Sequence, residues 1–191
     1  MIRCMLSVFI VLLLAVPQAG ATDHIYHPHG LKPVDSVLKV AVGDPAPDFE
    51  LLALAGGTIR LSDFRGKRNV VLTFVPAAWT PVCSDQWPGY NAALELFEQY
   101  DAELIGLSVD NMPSLFAWVE EMGGLNFTVL SDFWPHGGVA DKYGVLRSDG
   151  TADRALVVID KQGVVRFVHV SDIDRRPDLG MLMEALDKLP K

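Results

Sequence analysis

Five short apolar runs, at residues 70–75, 104–109, 127–130, 155–159 and 164–170, set the limits on how this chain can fold. They show almost no polar alternation, which is the pattern of strands buried on both faces of a sheet. Between them the period changes. After Cys83, the residues Trp87, Tyr90, Leu94 and Phe97 recur at three- and four-residue steps as one helical stripe. Asp110-Asn111-Met112-Pro113 supplies a cap and an early proline for the next helix, striped by Leu115, Trp118, Val119 and Met122 and ended by Gly123-Gly124. A shorter helix is expected over 139–143, and Leu179, Leu182, Leu186 and Leu189 mark a closing one. Asp160-Lys161-Gln162-Gly163 reads as the hairpin turn between the last two strands. Ahead of all these, 48–52 and 58–61 read as a strand pair joined by Ala55-Gly56-Gly57, with 62–68 as a polar link. The expected order is a strand pair followed by β-α-β-α-β-α-β-β-α, an α/β sandwich with a mixed sheet.

The 191 residues, half of them hydrophobic, suffice for one well-cored domain, placed at 43–191. The first residues stand apart from it. Arg3 gives a positive start, 5–16 an apolar run and Ala19-Gly20-Ala21 a small-x-small cleavage site, so 1–21 reads as a signal peptide and Thr22 as the mature start. The run is well short of the about 20 apolar residues that span a bilayer. An exported protein is expected, periplasmic or secreted, with no membrane contact after cleavage. The net charge of −8 becomes one unit more negative when Arg3 is removed, which disfavours nucleic acid and anionic lipid as partners.

Residues 22–42 read as an extended arm rich in proline and histidine. His24, His27 and His29 are weak candidates for copper, nickel or zinc. No fourth ligand follows at a regular spacing, so a solvated arm is the favoured reading, and neither metal nor cofactor is expected.

The chain has two cysteines, Cys4 and Cys83. Cys4 leaves with the signal peptide, so the exported chain holds one thiol and no internal disulfide partner. Buried packing is the commoner use of a single cysteine. The position argues otherwise: Cys83 follows a buried strand and opens a helix, where α/β folds place their chemistry. There its sulfur meets unpaired backbone N–H groups and the positive end of the helix dipole, both of which favour an anionic sulfur. Pro76 and Pro81 stiffen the turn. Thr80, three residues before the sulfur, either presents its hydroxyl to that sulfur or caps the helix.

The segment Pro76-x-x-x-Thr80-x-x-Cys83 resembles the active-site motif of the peroxiredoxins, the alkyl hydroperoxide reductase and thiol-specific antioxidant superfamily. Three further segments match in order: Gly43-Asp44-Pro45-Ala46-Pro47-Asp48-Phe49, Leu61-Ser62-Asp63-Phe64-Arg65-Gly66 and Arg154-Ala155-Leu156-Val157-Val158-Ile159-Asp160. The resemblance implies a thioredoxin-like three-layer sandwich, with helices on both faces of a mixed central sheet and an N-terminal strand pair. It implies Cys83 as the peroxidatic nucleophile and Arg154 as the arginine that completes the site; unaided, Arg154 reads as a solvated charge at a strand start. Thr80 would orient the peroxide and Pro76, lacking an N–H, would help keep water away. Substrate contacts would come from Thr80, Cys83, Arg154 and Gln86.

Two residues depart from the family pattern. Gln86 stands where a glutamate is usual, keeping hydrogen bonding and dropping a charge. Pro88 removes a backbone donor one turn into the helix, from which the 83–87 turn is expected to unwind readily. The peroxidase product is a sulfenic acid at Cys83. With no second cysteine after maturation, its reductant is expected to be an external thiol, either a small molecule or a thioredoxin-like protein. A homodimer is expected only by analogy with the family. Two rivals stand beside this reading: an exported thiol-disulfide oxidoreductase, disfavoured by the missing second sulfur, and a redox-inert module binding a metal or partner through the His24, His27 and His29 arm.

Overall fold

The structure, a computed structural model, describes residues 24–189. The expected signal peptide, with Cys4, lies outside the described residues. Seven strands form one sheet in the order β2-β1-β5-β4-β3-β6-β7. They are β1 (Glu50–Ala53), β2 (Thr58–Arg60), β3 (Asn69–Phe74), β4 (Ala102–Ser108), β5 (Thr128–Ser131), β6 (Arg154–Ile159) and β7 (Val165–Ser171). β3, β4 and β5 run parallel, β6 pairs antiparallel with β3, and the β1/β2 pair closes the far edge through β5. This is the expected mixed sheet; β3, β4 and β6 are buried along nearly their whole length as read, whereas the 164–170 run forms the edge strand β7 and is only partly buried along its middle.

Side-chain alternation splits the core between the two faces. Val70, Leu72 and Phe74 join Ile105, Leu107, Val157 and Tyr143 on one face, under helix α4 (Gly138–Tyr143). Val71, Leu104, Leu156 and Val158 face the other way, against α5 (Leu179–Asp187). On that second face α1 (Pro81–Asn91) and α3 (Met112–Glu121) pack Trp87 against Trp118, with ring centroids 4.9 Å apart. Helices thus cover both sheet faces, and the domain is a three-layer sandwich.

Two expectations are corrected. The polar link after β2 begins with a 3-10 helix, Leu61–Phe64, so Leu61 leaves the strand to bury its side chain beside Phe64. The single stripe after Cys83 is two helices: α1 ends at Asn91 and α2 (Leu94–Glu98) restarts after Ala93, at φ −107° and ψ 14°. The stripe serves two clusters, which divide within α1 rather than at the break. Trp87 packs with Cys83 and Trp118, whereas Tyr90 and Phe97 turn toward α5.

The arm is extended, as expected, but it is docked rather than free. Buried Asp153 anchors it, accepting from the Asp35 amide (3.1 Å) and the Ser36 hydroxyl (2.5 Å) while pairing with buried Arg147. Arg147 also donates to the Lys32 carbonyl (3.0 Å), and the Ile173 amide donates to that of Pro33 (2.9 Å). Further along, the arm crosses Gly144, which caps α4 at φ 71°. A Cβ there would fall 2.2 Å from the Lys39 nitrogen, so only glycine admits the crossing.

A second close approach sits under the active helix. Gly106 of β4 faces the Trp87 indole, and an added Cβ would lie 2.8 Å from it and 3.0 Å from the Phe127 ring. Gly106→Ala is expected to destabilise the fold by about 1–3 kcal/mol through overpacking. The measurement is a urea transition whose midpoint falls without a change in slope.

Candidate active site

The sheet register builds the site. Because β6 runs antiparallel to β3, with Ala155 opposite Phe74, the first residue of β6 lies beside the carboxyl end of β3, where α1 begins. Arg154 and Cys83 therefore meet although 71 residues separate them.

Thr80 occupies the N-cap position of α1, Pro81 opens the helix without an N–H, and the Ser84 amide closes the first turn on the Thr80 carbonyl (3.0 Å). The Val82 and Cys83 amides are left at the open end of the helix. The Thr80 side chain makes no capping bond; its hydroxyl donates to the Ala77 carbonyl at 2.8 Å, leaving its lone pairs as acceptors. Ahead of the helix, Trp79 adopts a left-handed φ of 61°, and the Ala78 amide is tied to Asp110 at 2.7 Å. On the outer side of the turn, the Trp118 indole N–H donates to Ser84 Oγ at 2.9 Å.

The Cys83 sulfur is fully buried, and Arg154 Nη2 donates to it at 3.4 Å. Arg154 is itself only 1% exposed. Its Nε and Nη2 donate to the Ile173 carbonyl at 3.2 and 2.9 Å, and its Nη1 to Gln86 Oε1 at 2.6 Å. Gln86 in turn donates through Nε2 to Thr73 Oγ1 at 3.0 Å. Among the described residues Arg154 forms no ion pair with a carboxylate. A buried cation needs an anion close by. The Cys83 sulfur is the one hydrogen-bonded neighbour of Arg154 that can carry a negative charge, and Gln86 in place of a carboxylate leaves it without a competitor. Tyr90, one turn beyond Gln86, brings no charge either: burial pushes its phenol well above the usual range.

The geometry gathers Cys83, Arg154 and Gln86 in direct contact and sets Thr80 and Pro76 on the wall of an adjoining pocket of about 390 Å³. The arm's histidines do not touch Cys83, Arg154 or Gln86 through hydrogen bonds. His24 lies edge-on to Trp79, while His27 and His29 border the pocket. No cluster of three side chains able to hold a metal occurs among the described residues. Sequence reasoning missed Thr73, the Ile173 carbonyl and the Arg147–Asp153 pair. Thr73 had a visible signal, as the one hydroxyl within an apolar strand; a backbone carbonyl has none.

Residues 42–168 match the AhpC/TSA family. Alkyl hydroperoxide reductase E of Mycobacterium tuberculosis is 35% identical over 149 residues, 78% of this chain and 97% of that protein. Peroxiredoxin-2 of Rattus norvegicus is 37% identical over 142 residues, covering 69% and 70% of the two chains. Among solved structures, the reduced 2-Cys peroxiredoxin of Plasmodium vivax superposes with a TM-score of 0.72 at 30% identity, over 78% of this chain and 81% of that one. The chain belongs to the AhpC/TSA family of peroxiredoxins, and its fold is the thioredoxin-like one.

Replacing Arg154 by Met is expected to slow sulfenic acid formation at Cys83 by about 10²- to 10³-fold, the range for losing a fixed donor to developing charge. Gln86→Leu, which strands the Thr73 hydroxyl and frees Nη1, is expected to cost about 1–3 kcal/mol of stability as well. Rapid-quench mass spectrometry of the Cys83 adduct measures the first effect and urea unfolding the second.

Proposed function

We propose that this protein is a thiol-dependent peroxidase working through Cys83 in a one-cysteine cycle. The observation that carries the reading is the fully buried guanidinium of Arg154, whose contacts are neutral oxygens and the Cys83 sulfur. In the oxidative step the thiolate attacks the terminal oxygen of a hydroperoxide. An S–O bond forms, the O–O bond breaks, and the leaving alkoxide takes a proton, giving sulfenic acid and an alcohol, or water from hydrogen peroxide. Arg154 offers a permanent cation to the charge as it moves from sulfur to the departing oxygen. Thr80, whose hydroxyl donates to the Ala77 carbonyl and keeps its lone pairs, and the Cys83 amide would hold the peroxide. Pro76 presents no N–H to water. In the reductive steps one external thiol displaces water from the sulfenic acid to form a mixed disulfide, and a second thiol releases Cys83.

A buried sulfenic acid is out of reach of a protein thiol, so the first turn of α1 must open for reduction. Pro88, which cannot donate to the Ser84 carbonyl, weakens the helix at that turn. Hydrogen exchange is expected to show faster amide exchange over 83–87 in the oxidised protein than in the reduced one; equal, strong protection in both states would count against opening. Export rests on the sequence pattern of 1–21, and the amino terminus of the protein recovered from cells tests it, with Thr22 expected.

The direct test is peroxide consumption with an added dithiol and a sulfenic acid trap. Wild type is expected to turn over and to carry the trap on Cys83, and Cys83→Ser to do neither. An untrapped, peroxide-insensitive Cys83 would sink the peroxidase reading.

A further inference from the structure

The arm is also part of the site. Its Tyr26 amide donates to the Trp79 carbonyl (2.7 Å) on the α1 side of the pocket, and residues 32–36 are tied to Arg147, Ser148, Asp153 and Ile173 on the opposite side. Residues 27–31 therefore span the pocket mouth as a strap pinned at both rims. The strap precedes residue 42, where the family match starts. Tyr26, Pro28 and Leu31 contribute to one wall, and Pro76, Val82 and Ile173 lie among the residues of the remainder, with Thr80 and Arg154 reaching the same space. At about 390 Å³ the pocket is over ten times the roughly 30 Å³ that a water molecule occupies. Hydrogen peroxide needs no such room.

We propose that the strap is a specificity-determining wall, which holds the hydrocarbon body of an organic hydroperoxide while its O–O group reaches toward Thr80, Arg154 and Cys83. The inference rests on the peroxidase reading and adds to it a substrate element outside the matched family domain. An apolar body gains about fourfold in kcat/KM for each methylene the wall removes from water, whereas hydrogen peroxide gains nothing from that contact. The strap thus sets the ratio of the two activities rather than the chemistry at sulfur.

Two variants of the full chain test this without touching the catalytic residues. Leu31→Ser makes the wall polar, and Asp35→Ala removes the carboxylate that accepts from Lys32 Nζ, the Ser148 amide and the Ser148 hydroxyl, loosening one pin. With cumene hydroperoxide as the apolar substrate, kcat/KM is expected to fall about five- to tenfold in each variant through KM. With hydrogen peroxide it should stay within twofold of wild type. Parallel losses on both peroxides, or no change on either, would overturn the strap's role while leaving the peroxidase reading intact. A wild-type protein that reduces neither peroxide would overturn the peroxidase reading and the strap's role with it.

Discussion

The site depends on one unusual burial, a guanidinium held away from water by neutral oxygens and one sulfur. Burying a cation is costly, and the fold meets that cost with four hydrogen bonds in a fixed fork: two to the Ile173 carbonyl, one to Gln86 and one to Cys83. Every other part of the site serves that fork. The antiparallel β3/β6 register brings Arg154 to the end of β3. The segment after β7 supplies Ile173, and α1 supplies Gln86 and Cys83 from one face, three residues apart. Because the neighbouring groups are uncharged, the arginine's field is directed at the sulfur instead of being cancelled by a carboxylate.

Much of this was legible in the residues, for physical reasons that differ from part to part. The doubly buried strands announced themselves because a sheet covered on both faces tolerates few polar side chains. Cys83 was legible by position, as a lone thiol at a strand-to-helix turn between two prolines. Arg154 was not legible from its own surroundings: a charged residue at a strand start is ordinarily solvated, and only the order of the family motifs marked it. Gln86 was noticed for the charge it lacks, while its bridging of Arg154 to Thr73 depends on a contact across 68 residues that no local pattern encodes.

The arm shows the opposite limit. Its composition suggested a solvated segment, since proline, histidine and glycine carry no helical or strand period. Its order comes instead from tertiary partners: a buried Arg147–Asp153 pair, a glycine at the end of α4 that permits a backbone crossing, and the Trp79 carbonyl. The single helix expected after Cys83 failed for a related reason. Periodicity reports that residues are apolar at the right spacing, not that one helix carries them: Tyr90 of α1 and Phe97 of α2 share a cluster across the break at Ala93.

The packing of Trp87 on Trp118 has a consequence of its own. Both indoles share a cluster with the Cys83 sulfur, and Trp118 is also tethered to Ser84, the residue that follows it. Any rearrangement of that first helical turn must change the surroundings of two adjacent fluorophores. The opening proposed for the oxidised protein would therefore be readable in its own fluorescence, with neither label nor coupled assay.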